Sequence, residues 1–342
     1  MNNDQESDRR FNIVALSFGL LLVLLFMVSL FSGRYSIPPG LMCRVLLSKV
    51  IHIDMTWSRT VETVIFNIRL PRTVLAALIG GSLAVCGASF QGMFQNPLVS
   101  PDILGVTSGA GFGAALAILL WNQVALIQAS AFIFGILAVF IAYIVSRVFR
   151  PTPTLMLVLS GIIVGSIFSA LLSLIKYVAD PNQKLPAIVF WLMGSLAGVS
   201  KKELVTVAIP ILVGTAGLFL VRWLINILSM GDEEAHSMGI RSGSLKLFII
   251  VCATIVTASS VSACGIIGWV GLVVPHICRM IIGSNHTRLI PLSFLGGGCF
   301  LLGVDTIART VISAEIPLGI LTALIGAPFF AFLLRKTGGK PG

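Results

Sequence analysis

The residues of this chain that could do chemistry are few, and the most suggestive are charged groups in apolar surroundings. Arg69 and Arg72 open a glycine-rich apolar stretch that carries no further charge before Asp102. Asp305 and Arg309 stand four residues apart, a spacing that lets them pair on one face of a helix. Arginine binds carboxylates through two parallel hydrogen bonds. Three arginines at the mouth of a helical bundle, Arg69, Arg72 and Arg309, are therefore candidates to receive acidic groups. A single arginine at such a position would be explained more simply by contact of its side chain with lipid headgroups.

A second charged segment is the loop of residues 229–243, in which a glycine precedes three consecutive acids. Carboxylates are stabilised at the N-terminus of a helix by its dipole, so a short helix is predicted to begin after Gly231 and to end at Gly239. Ala235 and Gly239 would then lie one turn apart and form a small, smooth face. Two interpretations stay open: a solvated loop helix, or a surface that a soluble partner grips.

Sequence motifs of enzymes are absent. There is no P-loop, no HExxH, no GxSxG and no pair of carboxylates within one apolar stretch. The six cysteines form no CxxC pair, and all but Cys43 lie in apolar stretches, where cysteine behaves as a small hydrophobic residue. We therefore predict no catalytic site, no metal site and no cofactor in this chain.

The composition is that of an integral membrane protein. Of the 342 residues, 56% are hydrophobic and only 11% are charged, and the mean hydropathy is +1.01. A membrane span needs about 20 apolar residues, and the uncharged run 103–146 is twice that length, which predicts two helices joined by a turn near Trp121-Asn122-Gln123. The net charge of +10 does not indicate a nucleic-acid partner, because the basic residues lie in short loops between spans.

The hydropathy pattern predicts ten spans in one transmembrane domain that extends over residues 1–342. The spans cover residues 11–31, 70–94, 103–121, 124–146, 154–176, 204–226, 246–263, 269–283, 289–306 and 317–335. A shorter apolar segment, residues 185–199, is predicted to be a helix at the outer surface. With both termini in the cytoplasm, twelve lysines and arginines fall inside and eleven outside, so the positive-inside bias hardly selects an orientation.

Other classes of membrane protein are also considered. An ion channel or a secondary carrier would explain ten spans, but such proteins place charged groups at mid-membrane, where this chain has almost none. An intramembrane enzyme would need a catalytic dyad. A transporter that lacks an ion-coupling site must draw its energy from elsewhere, and a separate ATPase is the plainest source.

A series of motifs runs in order along the chain from Arg69 onward. They are Arg69-Leu70-Pro71-Arg72, Gly87-Ala88-x-x-Gln91, Asn96-Pro97-Leu98-x-x-Pro101, Gly231-Asp232-Glu233-Glu234-Ala235-x-Ser237-x-Gly239, Gly268-x-x-Gly271-Leu272-x-x-Pro275-His276 and Glu315-x-Pro317-x-Gly319. Together they resemble the FecCD/BtuC permease family. Its members are the membrane subunits of bacterial type II ABC importers for iron–siderophore, haem and cobalamin.

The resemblance implies an all-α integral membrane protein of about ten transmembrane helices with a BtuC-like permease fold. It implies a cytoplasmic-membrane location, a dimer (a homodimer being the commoner arrangement) and a substrate path at the dimer interface. Two cytoplasmic ATPases would hold ATP and Mg²⁺, and a periplasmic or lipid-anchored binding protein would deliver the substrate. Ferric siderophore is the expected cargo, with haem, cobalamin and molybdate-type oxyanions as alternatives.

The same resemblance implies roles for particular residues. Arg69, Arg72 and Arg309 would receive acidic residues of the binding protein. The helix that seats in the ATPase would comprise Gly231, Asp232, Glu233, Glu234, Ala235, Ser237 and Gly239. The inner gate and pathway would involve Gln91, Asn96, Leu98, Thr154 and Leu155. Leu155 departs from the small polar residue that can occur there, which leaves the details of that gate open.

Overall fold

A computed structural model describes residues 2–49, 51, 53–147, 154–312 and 314–337, and all regular secondary structure within these residues is helical. Besides the α-helices, this part of the chain contains a π-helical turn, Val64–Arg69, and a 3-10 turn, Pro101–Leu104. The α-helices are α1 (Asn2–Phe31), α2 (Pro39–Leu47), α3 (Arg59–Thr63), α4 (Leu70–Met93), α5 (Val106–Leu120), α6 (Val124–Ser146), α7 (Thr154–Val178), α8 (Lys184–Met193), α9 (Lys201–Leu220), α10 (Arg222–Leu228), α11 (Asp232–Ser237), α12 (Ser242–Cys264), α13 (Val270–Ile282), α14 (His286–Thr310) and α15 (Leu318–Thr337).

Seven helices in the described part of the chain are long and apolar enough to cross a membrane, when Arg59–Met93 is counted as one continuous helix. Shorter apolar helices accompany them: α5, α8, α13 and the Leu318–Leu333 part of α15. The predicted fold class, an all-α integral membrane protein, is thereby confirmed. The division into exactly ten spans stays a prediction.

Two predicted segments differ in detail from the observed helices. The predicted span 204–226 is divided at Val221 into α9 and α10. The segment 185–199 is helical only as far as Met193, because Gly194 has a positive φ of 76° and turns the chain back to the bundle. There Gly194 accepts a hydrogen bond from the backbone N–H of Leu318, at 2.9 Å. This segment is therefore attached to the start of α15, and its place at the outer surface stays a prediction.

Helix α4 lies at the centre of the bundle, and all of its residues from Ile79 to Met93 are buried. It runs antiparallel to α14, and the two backbones touch where Gly80 faces Gly297. A Cβ atom built on either glycine would overlap the carbonyl oxygen of the other. Lipid supplies no hydrophobic drive between helices, so membrane helices gain stability from such close approach of small residues.

Close packing of α4 and α14 predicts different effects for two alanine substitutions in the same helix. Gly297→Ala should destabilise the protein by about 1–3 kcal/mol, because the added methyl has no space. Gly303→Ala should be neutral or stabilising by up to about 1 kcal/mol, since nothing lies within 4 Å of its built Cβ. Thermal unfolding in detergent micelles measures both. Equal stability of the two variants would contradict the backbone contact.

Candidate functional site

The charged groups that the sequence singles out lie at two opposite ends of the bundle. The arginine end comprises Arg69, Arg72, Asp305, Arg309 and Glu315, where α4 begins and α14 finishes. The loop-helix end comprises α11 and the first turns of α7, α12 and α14, next to the last turn of α4. Buried ion pairs and helix capping stabilise the arginine end, whereas the loop-helix end is built around a short helix with a glycine on either side.

Arg72 is the centre of an ion-pair network at the arginine end. Its Nε donates to Asp305 Oδ1 at 3.0 Å and its Nη2 lies 2.9 Å from the same oxygen. Its Nη1 donates to Glu315 Oε1 at 3.0 Å. Asp305 is fully buried and also lies 3.5 Å from Arg309 Nε. The four-residue spacing of Asp305 and Arg309 predicted their pairing, which the structure confirms, but Arg72 is the closer partner of Asp305.

Arg69 and Arg309 cap the C-terminus of α1. The last four carbonyls of a helix have no partner within the helix, and in lipid such groups must be satisfied by protein. Arg69 Nη1 donates to the carbonyl oxygens of Leu30, at 2.9 Å, and Phe31, at 3.3 Å. Arg309 Nη2 donates to the carbonyl oxygen of Ser29 and, at 2.7 Å, to its Oγ. Positive charge at this position also matches the helix dipole.

The three arginines are therefore not outward-pointing groups that await a partner. Their residues are only 4%, 7% and 7% exposed (Arg69, Arg72 and Arg309), and all three guanidinium groups already have partners within the chain. The docking role expected of these arginines stays a prediction, but in this chain each of them also has a structural role. The physical reason is that a guanidinium in an apolar bundle is stable only when carboxylates or carbonyl oxygens surround it.

An exposed arginine that the sequence did not single out lies beside this network. Arg34 is exposed and lines a cleft of about 190 Å³ together with Arg69, Arg72, Arg309 and Glu315. It follows α1 directly, in a segment for which the hydropathy pattern predicted no structure. The three buried arginines bond to the chain segments that surround this cleft. Arg34 adds a fourth positive charge that is exposed to solvent.

At the loop-helix end, α11 begins at Asp232 and is shaped by a glycine on either side. Gly231 has a φ of 139°, and a Cβ there would overlap the carboxylate of Glu234. Gly239 has a φ of 77° and follows the helix in a Schellman motif, in which Ile240 N–H donates to Ala235 O and Gly239 N–H to His236 O, both at 2.9 Å. The start after Gly231 agrees with the sequence prediction.

The face that α11 presents to solvent is acidic and not the small-residue face expected from the sequence. Ala235 is fully buried and anchors α11 to the bundle. The exposed residues are Asp232, Glu233, Glu234, His236, Ser237 and Gly239, with the large apolar side chains of Met230 and Met238 on either side. The spacing of Ala235 and Gly239 could not reveal which side of so short a helix the bundle covers.

A buried lysine of α12 also lies at this end. Lys246 is 8% exposed, and its Nζ donates to Asp232 Oδ2 at 2.6 Å and to Thr154 Oγ1 at 3.1 Å. Nothing in its local sequence beyond its position at the start of an apolar stretch could have indicated this role. It joins the first residue of α11 to the first residue of α7.

The residues expected at the inner gate fall into two groups. Asn96, Leu98 and Leu155 are exposed, and Asn96 Oδ1 accepts a hydrogen bond from Leu98 N–H at 2.9 Å, which fixes the turn after α4. Gln91, in contrast, is buried between α4 and α13, where Oε1 accepts from Arg279 at 2.9 Å and Nε2 donates to Gly271 O at 3.3 Å. Gln91 therefore lies inside the helix packing, and its expected role at the gate stays a prediction.

An apolar helical bundle with charged clusters at its two ends is the architecture of a multi-pass membrane protein. Comparison with known proteins identifies the family. The chain matches the FecCD transport family over residues 21–336 and belongs to it. Members of this family are permease subunits of ABC transporters, which work with ATP-binding subunits and a binding protein.

Individual relatives cover nearly the whole chain. It is 40% identical over 317 residues to the molybdate import system permease protein MolB of Haemophilus influenzae, which covers 93% of this chain and 94% of the relative. It is 42% identical over 278 residues to the cobalamin import system permease protein BtuC of Halobacterium salinarum. This alignment covers 81% of the present chain and 74% of the relative. A solved inward-facing structure of a metal-chelate type ABC transporter superposes with a TM-score of 0.85 at 38% identity, over 95% and 99% of the chains.

The arginine network predicts that Asp305 is needed for folding. Asp305→Asn removes the buried charge that balances Arg72 and Arg309, and breaking such a pair destabilises a protein by about 3–5 kcal/mol. Glu315→Gln is the matched control: its side chain is 28% exposed, so water compensates part of the loss and the effect should be smaller. Thermal unfolding in nanodiscs compares the two. A stable Asp305→Asn variant would show that the network does not hold the helices together.

Proposed function

We propose that this chain is the membrane-spanning permease subunit of an importer that passes a metal chelate from an extracytoplasmic binding protein to the cytoplasm. The observation that carries the proposal is the concentration of charge at the two ends of an apolar bundle in a member of the FecCD family, with Asp102, half-buried beside Leu83 and Thr257, as an exception. One end offers a positively charged cleft and the other an exposed acidic helix. Such a chain is not an enzyme, and ATP with Mg²⁺ would be bound by separate ATPase subunits.

Ferric siderophore is the proposed cargo, and haem and cobalamin belong to the same chemical class of large metal chelates. The likeness to a metal-chelate type transporter supports this class. A second candidate is an oxyanion such as molybdate, which is favoured by the 40% identity to MolB over 93% of the chain. Both cargoes reach a permease through a binding protein, which would select between them.

The proposed assembly has two permease copies, two ATPases and one binding protein in the cytoplasmic membrane, with both chain termini in the cytoplasm. A second copy of this chain would cover the exposed apolar face of α7, which includes Ile163, Ile167 and Leu174. In this orientation the arginine end faces outward. Exposed Asn96, Leu98 and Leu155, together with Thr154, would then form the inner gate beside the ATPases.

The exposed acidic face of α11 supports its role as the helix that seats in the ATPase. Glu233 and Glu234 supply charge, and Met230 and Met238 supply apolar contact area. Ala235, on the buried side of α11, fixes the helix to the bundle. Gly231 and Gly239 contribute the two turns that let so short a helix protrude.

At the arginine end, the buried arginines would attract the binding protein chiefly through the positive electrostatic potential of the cleft that they line. Three buried arginines and Arg34 surround two carboxylates there, so the cleft has an excess of positive charge. Arg34 would make direct contact with acidic side chains of the binding protein. Arg69, Arg72 and Arg309 would shape the seat and be reached only at its floor.

The docking proposal predicts a salt-dependent loss of affinity in Arg34→Glu. Reversing this charge should lower the affinity for the binding protein by about tenfold or more at low salt, because electrostatic complementarity is replaced by repulsion. Stability should not change, since Arg34 is exposed. Lys202→Glu, also exposed, is the matched control. Unchanged affinity of Arg34→Glu in surface plasmon resonance on nanodisc-embedded complex would remove Arg34 from the docking surface.

The transport proposal is tested by ATP hydrolysis in the purified complex of this chain with its partner ATPase and binding protein. Hydrolysis should rise when the binding protein is loaded with its ferric chelate and should not respond to molybdate. Stimulation of ATP hydrolysis by molybdate alone would identify the oxyanion as the cargo and would contradict the ferric chelate. A chain that assembles with no ATPase, yet moves cargo, would be a carrier or channel and would contradict the importer.

A further inference from the structure

We propose that Lys246 is a positioning residue that transmits movement of α11 to the first turn of α7. The proposal rests on the importer function stated above, in which α11 contacts the ATPase and α7 begins at the inner gate. It adds a residue that neither the motifs nor the family comparison assigns. Three observations carry it: the contacts of Lys246, its burial, and the greater exposure of its partner Asp232.

The contacts place one ammonium group between three helices. Lys246 is the fifth residue of α12, and its Nζ donates to Asp232 Oδ2 at 2.6 Å and to Thr154 Oγ1 at 3.1 Å. Asp232 is the first residue of α11 and Thr154 the first residue of α7. Lysine suits this position because its ammonium is a compact charge with three donors that can point in separate directions. Movement of either helix start must therefore move or break these bonds.

The burial of Lys246 makes the junction asymmetric. Its side chain is 10% exposed, whereas the side chain of Asp232 is 50% exposed. A buried ammonium without a carboxylate is costly, so Lys246 must follow Asp232 when α11 is displaced. Asp232 can exchange its partner for water or for a group of the ATPase. The bond is consequently strong enough to transmit a small displacement and is able to open at the end of a transport cycle.

The position of the junction relates it to the gate. Thr154 precedes Leu155, an exposed side chain at the loop-helix end. Within α11, Ala235 is buried in the bundle, whereas the side chain of Asp232, three residues earlier, is half exposed. A displacement of Asp232 then pulls on Lys246 and Thr154 together. Small shifts at an effector site are converted in this way into a change between two packed arrangements.

Two variants separate the parts of this junction. Thr154→Val keeps the shape of the side chain and the Lys246–Asp232 ion pair, but removes the bond to α7. Lys246→Met keeps an unbranched apolar stem and removes both bonds, and it leaves Asp232 hydrated and the fold intact. Lys202→Met, an exposed lysine at the opposite end, is the matched control. Asp232→Asn is unsuitable, because it strands the buried ammonium.

The first measurement is the distance between spin labels on α7 and α11, at Leu155→Cys and Glu233→Cys in a Cys43→Ser background. Cys43 is the exposed native cysteine among the described residues, and the other five are buried. The assembled wild-type complex in nanodiscs should give a narrow distance distribution with and without ATP. Thr154→Val and Lys246→Met should broaden it, while Lys202→Met should not. Equally narrow distributions in all variants would overturn the junction.

The second measurement is the amount of cargo transported per ATP hydrolysed in proteoliposomes. Loss of one hydrogen bond to a charged group should lower this ratio by about tenfold in Thr154→Val, and by more in Lys246→Met, while ATP hydrolysis continues. An unchanged ratio in both variants would overturn the transmitting role. Absence of ATP-driven uptake in the wild type would instead overturn the proposed function, and the distance measurement would still report on the junction.

Discussion

The structure depends on one buried carboxylate, that of Asp305, which balances the charge of two arginines from different helices. Through Arg72 it ties α14 to α4, and through Arg309 it connects to the end of α1. Water inside a bilayer is too scarce to stabilise a guanidinium whose partner is missing. The arginine end is therefore a rigid unit in which charge, helix capping and packing are satisfied together. The close contact of Gly80 with Gly297 continues the same α4–α14 interface toward the membrane interior.

The loop-helix end is built in the opposite manner. There α11 is six residues long, is held by one buried alanine and one ion pair, and exposes its acids to solvent. A segment with few buried contacts opens at low free energy, which is what a moving part requires. The two ends therefore differ in how they are held: buried ion pairs and helix capping hold the arginine end, whereas Ala235 is the buried residue of α11.

Much of this arrangement could be predicted from the sequence, because membrane insertion restricts the choice of structure. Long uncharged runs must be helices, and the α5–α6 pair follows from the length of the run 103–146. The start of α11 follows from Gly231 and the acids after it. The pairing of Asp305 with Arg309 follows from helical spacing. Each of these features depends on residues that are close together in the chain, so their spacing is sufficient to predict it.

The remainder depends on contacts between distant segments, which spacing does not encode. Arg72 and Asp305 are 233 residues apart, and Lys246 and Thr154 are 92 residues apart. The burial of Ala235, Gln91 and the three arginines also depends on which neighbours cover them. Sequence alone identified the arginines as a group but could not show that their donors are already used. For the same reason it overlooked Arg34, whose exposure is decided by the burial of the others.

The central claim is that this chain supplies a pathway and no energy of its own. It is tested most directly by uptake into proteoliposomes that contain the purified chain with or without its partner ATPase, under equal cargo and ion gradients. The account predicts that cargo accumulates against its gradient only when the ATPase and ATP are both present. Uphill accumulation by the isolated chain would contradict it.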